Sequence, residues 1–342
     1  MTEWIITSSL LILIVLLVRR LFRGRLSLRL QYALWLVVLV RLLIPGTVAQ
    51  TGLSVLNYLP RTEVEVSQGT VTAPAPEDGG GTVQTQPAQP AQAAEPVQPV
   101  TPAEPEGQGT AGQSAPAPEP FPWRTVLTAV WLAGAAAVAA ALVISNLRFY
   151  LRLRRVRRAH PVPGMAVPVY VARGLPSPCL YGFPRPAVYL TPAAAEDPAV
   201  LGHVLSHELT HRRHGDHVWA VLRGAALALH WYNPLVWLSA ALSKRDGELA
   251  CDEGALRHAD GPTRAAYGRA LIRLVTTKPA LTDLFCCATT MTAGKSGLKE
   301  RITMIARRPR TLLTAFAAAA FLVGLAVGCT FTGGRSDTWE PL

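Results

Sequence analysis

His207-Glu208-Leu209-Thr210-His211, with Glu248-Leu249-Ala250-Cys251-Asp252 further along, is the pair of segments on which the reading of this chain turns. On a helix, two histidines four residues apart lie about 40° apart around the axis and one turn apart along it, so one metal ion can take a nitrogen from each. Glu208 falls on the adjoining face, near enough to a water at the metal to accept its proton yet off the ligand line. Glu248 and Asp252 repeat the same spacing. One carboxylate can then be the third ligand while the other orients a histidine, and we assign these roles to Glu248 and Asp252 respectively. Three protein ligands with a fourth position open is the arrangement of a catalytic rather than a structural Zn2+.

His203, His214 and Cys251 lie near the same faces. A rise of about 1.5 Å per residue and Zn–N bonds of about 2.1 Å let only one adjacent turn converge on an ion, and His207 and His211 are the pair flanking a glutamate. His203 and His214 are read as solvated or packed, and Cys251 as a small buried residue. Asp197-Pro198 supplies an N-cap with proline at the first helical position, and His214-Gly215 supplies the stop, so the motif sits well inside a helix. Asp216 is expected to cap the next helix.

Half of the 342 residues are hydrophobic, too apolar for an ordinary soluble domain. Four membrane spans are expected, over Trp4 to Val18, Leu30 to Val48, Thr125 to Ser145 and Leu312 to Val327. Arginine clusters at Arg19 to Arg29, Arg148 to Arg158 and Arg307 to Arg310 mark the cytoplasmic side, while the stretch from Gln50 to Pro122 carries eight acidic residues and only Arg61, as an outside segment would. The resulting topology places both chain ends outside and the zinc segment inside, in a bacterial-type plasma membrane. The net charge of +11 is accounted for by these membrane-flanking arginines, so anionic lipid rather than nucleic acid is the expected partner. A cleaved secretory leader is not expected, because Arg19 and Arg20 follow the first apolar run rather than precede it. Five cysteines without paired spacing imply no disulfide framework, and Cys329 is read as carrying no lipid.

The chain is thus expected to be a mainly α-helical integral membrane protein with about four transmembrane helices and a small α+β cytoplasmic zinc protease domain. Residues 1–49 hold the first two spans and 50–122 a disordered Pro/Ala/Gln-rich linker. The third span occupies 123–147, the protease domain 148–310, the fourth span 311–329 and a short outer tail 330–342. Within the domain, Val167 to Ala172 and Ala187 to Leu190 are short and β-favouring, predicting a small hairpin or an edge strand that would hold substrate in extended form. The apolar run Val218 to Leu242, broken at Asn233-Pro234, predicts a buried or interfacial helix pair, since a full crossing would separate Glu248 from His207. Lys295 to Arg301 is read as a polar connector to the fourth span, with an exposed self-cleavage loop as the alternative.

Ser177-Pro178-Cys179-Leu180-Tyr181-Gly182, Pro186-Ala187-Val188-Tyr189-Leu190, the two segments above, His230-Trp231-Tyr232-Asn233-Pro234-Leu235-Val236-Trp237 and Lys299-Glu300-Arg301-Ile302 together resemble the BlaR/MecR-type membrane metallopeptidases. The resemblance implies a gluzincin-like domain that cleaves itself or a transcriptional repressor after an extracellular signal. Antibiotic-sensing members carry a penicillin-binding domain after the last span, whereas only about a dozen residues follow Cys329 here, without a Ser-x-x-Lys motif. The input is therefore expected through a separate sensor protein, the bilayer or the linker. His230 and Tyr232 are candidates for oxyanion or substrate contacts. The expected partners are a protein substrate, the bilayer and a second copy of the chain in a homodimer. Two other readings remain: a housekeeping quality-control protease, and a non-catalytic signal transducer.

Overall fold

The computed structural model describes residues 2–44, 49–50, 122–274, 289–290, 295–307 and 312–333. The expected linker lies outside them except at its end residues, as do Cys286 and Cys287. In chain order the elements are α1 (Thr2–Leu21), α2 (Leu28–Leu43), β1 (Ala49–Gln50), α3 (Trp123–Val156) and β2 (Arg157–Ala159). Then follow β3 (Val169–Ala172), β4 (Cys179–Tyr181), β5 (Ala187–Leu190), α4 (Pro192–Glu196), α5 (Pro198–His214) and α6 (Asp216–Leu229). α7 (Pro234–Ala255), α8 (Gly261–Leu274), β6 (Thr289–Thr290), α9 (Lys295–Arg307), α10 (Leu313–Phe331) and β7 (Thr332–Gly333) complete the described chain.

The protein is mostly helical with a small sheet. Among the described residues three helices are long and apolar enough to cross a membrane, over Trp4–Leu21, Trp123–Val156 and Leu313–Thr330. The second expected span differs. α2 has 16 residues, about 24 Å of helix and short of the usual crossing length, and its Trp35, Val38 and Leu42 are buried in one core with α1, α6 and α7. Ser27 caps it, its hydroxyl accepting from the Leu30 amide at 3.3 Å. α10 runs back along α1: the Leu312 amide donates to Arg25 O in the α1–α2 turn, and Val18 and Leu26 pack on Ala315 and Ala319. At the other end, β1 and β7 pair in parallel, so the segments leaving α2 and α10 emerge on the same side.

The sheet has the order β2-β3-β5-β4-β6. Both expected strands form, but they lie parallel to each other, and the antiparallel partner of β5 is β4. Cys179 to Tyr181, flanked by Pro178 and Gly182, form a further strand; all three residues are buried, and the strand is too short to show a period. One sheet face packs Leu180, Val188 and Leu190 against Val200 and Val204 of α5, with Tyr267 and Leu271 of α8 and Ile305 of α9 closing the core.

α5 begins as expected, with the Asp197 carboxylate accepting from the Ala199 amide at 3.0 Å and Pro198 at its first turn. It ends on Gly215, whose φ of 72° is the left-handed conformation that terminates helices. Asp216 does not cap α6; Gly215 holds that position with no side-chain cap, which frees the Asp216 carboxylate. α6 and α7 form a hairpin turned at residues 230–233, where Asn233 caps α7 by accepting from the Leu235 amide at 3.0 Å. Lys295 to Arg301, expected as connector or exposed loop, is instead the first half of α9, and Arg301 is buried. The reason is amphipathy: Leu298, Ile302 and Ile305 recur at helical spacing and pack into the core below the sheet.

Candidate metal centre

α5 and α7 lie side by side, brought close where Gly254 meets Thr210; a Cβ on Gly254 would stand 2.7 Å from the Thr210 methyl. This packing brings His207 and His211 of α5 against Glu248 of α7. The two histidine Nε2 atoms are 3.0 Å apart. Glu248 reaches both, Oε1 at 3.5 Å from His211 Nε2 and Oε2 at 3.6 Å from His207 Nε2. Two ligand atoms at about 2.1 Å from a tetrahedral zinc are about 3.4 Å apart, so all three spacings fit one ion to within a few tenths of an ångström. Glu248 Oε2 is buried and accepts no hydrogen bond, and a cation between the three side chains would satisfy it.

The Nδ1 atoms are turned the other way and are fully engaged. His207 Nδ1 lies 2.8 Å from the Tyr267 hydroxyl and 3.2 Å from Asp252 Oδ1, and the Tyr267 hydroxyl donates to the same Asp252 oxygen at 2.6 Å. Arg301 closes this side, donating from Nε and Nη2 to the two Asp252 oxygens at 2.6 Å each, with Nη1 3.5 Å from Glu248 Oε2. His211 Nδ1 lies 2.6 Å from Asp216 Oδ2, and Asp216 Oδ1 accepts from the Tyr32 hydroxyl of α2 at 2.8 Å. With carboxylates facing both Nδ1 atoms, the neutral-ring proton belongs there, and the two Nε2 lone pairs point at a common centre.

Electrostatics follow from burial and these contacts. Burial disfavours the charged ring of His207, but the Asp252 and Glu248 carboxylates outweigh it and raise its pKa to about 9 in the metal-free protein. Burial would also raise Asp252 and Glu248; Arg301 overcomes it and holds Asp252 well below the usual range, and His211, His207 and Arg301 together lower Glu248. Glu208, fully buried, is pushed up by desolvation against the pull of His211 and His207. A carboxyl raised in this way holds a proton more readily than an exposed one, as a general base that later returns the proton requires.

A second trio, His211, Asp216 and Cys251, also lies within ligand range. Its polar atoms are consumed by one another: Cys251 Sγ is 3.1 Å from His211 Nδ1 and donates to Asp216 Oδ2 at 3.3 Å. Burial first, and Asp216 next, raise the Cys251 thiol well above its ordinary pKa, so it stays protonated. Its place is behind His211.

Of the residues singled out from sequence, His207, Glu208, His211, Glu248 and Asp252 come together. His230 and Tyr232 do not. His230 Nε2 bonds Leu42 O at 2.9 Å and its ring packs edge-on against Trp4, with the Tyr232 hydroxyl 3.5 Å from its Nδ1. They sit at the opposite end of α6 from Asp216, about 21 Å away along the helix, too far to reach an oxyanion at the metal centre. His203 packs edge-on against Tyr267, and His214 Nδ1 is 3.5 Å from Cys251 Sγ; neither joins the trio. Sequence reasoning missed Tyr267, Arg301, Tyr32 and the orienting role of Asp216. Asp216, one residue past the helix stop, and Arg301, inside the Lys299-Glu300-Arg301-Ile302 motif, carried a local signal but not this role.

A helix bearing His-Glu-x-x-His, faced by a carboxylate-bearing helix and joined to membrane-length helices, is the arrangement of a membrane metallopeptidase. The chain belongs to the M56 peptidase family: the model described as BlaR1 peptidase M56 matches residues 1–305. It is also similar to the "Regulatory protein BlaR1" of Bacillus licheniformis, 25% identical over 158 residues, which is 46% of this chain and 26% of that protein. The matched region therefore spans about a quarter of that relative's length.

Proposed function

We propose that the chain is a membrane-embedded zinc endopeptidase with a signalling role, cutting itself, a transcriptional repressor, or both. The observation that carries this reading is the convergence of His207 Nε2, His211 Nε2 and the Glu248 carboxylate beside a buried Glu208. His207, His211 and Glu248 would hold the ion, with Asp252 and Asp216 fixing the two rings. Zinc, when bound, supplies Lewis-acid polarisation of the scissile carbonyl and of the attacking water. Glu208 takes the proton of that water and passes it to the leaving amine, which its raised pKa favours. α2 is proposed as a fourth membrane segment, with the arginine-rich α1–α2 turn, the sheet and helices α5, α8 and α9 on the cytoplasmic side. The signalling role draws on the regulatory relative named above; a quality-control protease would use the same chemistry on unfolded membrane proteins.

One feature favours the chain itself as a substrate. β6 pairs antiparallel with β4, with Thr290 opposite Cys179, and so occupies the sheet edge next to the strand that packs on α5. An extended peptide added to a sheet edge is how such proteases hold the segment they cut. The test is to express wild type and Glu208→Gln in membranes with a candidate repressor and to follow fragments of both proteins. The variant should bind metal and yield no fragments. Undiminished cleavage would remove Glu208 as the base, and a wild-type signalling response from Glu208→Gln would favour a non-catalytic transducer.

A further inference from the structure

α6 has only 14 residues and α7 carries Lys244, Arg245 and Asp246 near its middle, so neither arm of the hairpin is a membrane span by length and composition, yet the structure lays it along α1 and α3. At its base, Asp246 takes a two-pronged salt bridge from Arg19 at the last turn of α1 and a 2.8 Å bond from Trp35 Nε1, while Asp216 takes the Tyr32 hydroxyl. At its tip, His230 meets Trp4 and Leu42 O, and Asn233 Nδ2 donates to Ser9 Oγ at 3.0 Å. Trp4 and Arg19 are about 22 Å apart on α1, so the hairpin follows that helix for most of its length.

The third flank agrees. Trp131 Nε1 donates to Leu229 O at 2.9 Å and Trp231 Nε1 to Trp131 O at 3.2 Å, while Leu142 packs at Gly224. A Cβ on Gly134 would come within 2.1 Å of the Trp231 ring, so the glycine is what admits the tip against α3. The sheet reaches α3 only lower down, where the Tyr181 hydroxyl bonds Asn146 O. Trp131 and Asn146 are about 22 Å apart along α3, which matches the length of α6.

We propose that α6–α7 is a re-entrant hairpin seated in the acyl-chain region of the bilayer, entering from the side of the metal centre and turning back about two thirds of the way across. A hydrocarbon core of about 30 Å accommodates about 20 Å of insertion without a crossing. The chemistry suits lipid. Between Val218 and Ser243 the one charged residue is Arg223, which donates to Ser243 Oγ at 3.0 Å near the base, and charge resumes at Lys244-Arg245-Asp246, level with Arg19. The turn keeps its backbone bonded, Asn233 N to His230 O and His230 N to Ala226 O, as a break in lipid requires. Val218, Val221, Leu222 and Leu238 are the exposed apolar residues left on its outer faces, and acyl chains are the partner that fits them. The consequence is that the metal centre stands at the inner membrane boundary, its Asp216 and Glu248 carried by the hairpin's two base ends.

This inference rests on the proposed topology, and the test separates the two. Nitroxide labels are placed on Leu222→Cys and Leu238→Cys in the hairpin, Leu13→Cys and Val130→Cys in α1 and α3, and Arg212→Cys on α5, all exposed positions. The full chain is reconstituted in phosphatidylcholine–phosphatidylglycerol vesicles, with the parent chain labelled in parallel, and each label's accessibility to oxygen and to a water-soluble nickel chelate is read. The hairpin labels should favour oxygen as the span labels do, and Arg212→Cys should favour nickel. Oxygen preference at Leu13 and Val130 with nickel preference at Leu222 and Leu238 would overturn the re-entrant hairpin and leave the spans intact. Nickel preference at all of them would overturn both.

Discussion

His207 and His211 occupy equivalent places in one motif, yet they are held from opposite sides of the molecule. The ring of His207 is fixed by Asp252, Tyr267 and Arg301, three residues from α7, α8 and α9. That of His211 is fixed by Asp216 at the start of α6, which is itself held by Tyr32 of α2. One ligand is therefore tied to the core beneath the sheet and the other to α6 and, through Tyr32, to α2. The two anchors are not independent, since α7 carries both the Asp252 that faces His207 and the Cys251 that lies 3.1 Å from His211 Nδ1.

The heaviest loss is expected on the His207 side. Arg301 is buried and its guanidinium is matched to two carboxylates, so Arg301→Met leaves Asp252 and Glu248 uncompensated and should cost about 3–5 kcal/mol in thermal or denaturant unfolding of the metal-free protein. A cost under about 1 kcal/mol would mean that the network is not formed. On the His211 side, Asp216→Asn keeps the shape and removes the charge that orients the ring; zinc affinity should fall about 10–100-fold in a competition titration, with the fold less affected than by Arg301→Met.

The same asymmetry has a pH signature. His207 is raised from 6.5 to about 9, so its charged form stabilises the metal-free fold fully below about 6.5, and that contribution disappears as pH rises through about 9. Zinc needs the neutral ring, so the increment in unfolding temperature given by zinc should grow across that window. A flat increment would contradict the coupling of His207 to Asp252 and Glu248. The smallest effect belongs to Tyr32→Phe, which removes one bond to Asp216; about 1 kcal/mol, or up to about tenfold in zinc affinity, is expected.

The ligand helix was legible because its signals are local: four-residue spacing, Asp197-Pro198 before it and Gly215 after it. Glu248 and Asp252 were legible for the same reason, as a second helical pair. Tyr267 and Arg301 were not, since a buried tyrosine on an amphipathic helix and an arginine in a polar run acquire meaning only when α8 and α9 fold back onto α7. The hairpin was half legible. Its apolar run was plain, but a 14-residue helix ending in His230 and Asn233-Pro234 is shorter than any crossing, and its depth depends on contacts with Trp4, Trp131 and Gly134 that no periodicity reveals. β4 was missed because three buried residues leave no alternation to read.

Among the described residues two trios lie within ligand range of a metal, and they meet His211 at different nitrogens. Zinc-edge X-ray absorption of the full chain in membranes distinguishes them directly. Coordination by His207, His211 and Glu248 predicts nitrogen and oxygen neighbours at about 2.0–2.1 Å, an imidazole signature from two rings, and no sulfur. A sulfur neighbour at about 2.3 Å would place the ion on Cys251 and contradict the proposed centre.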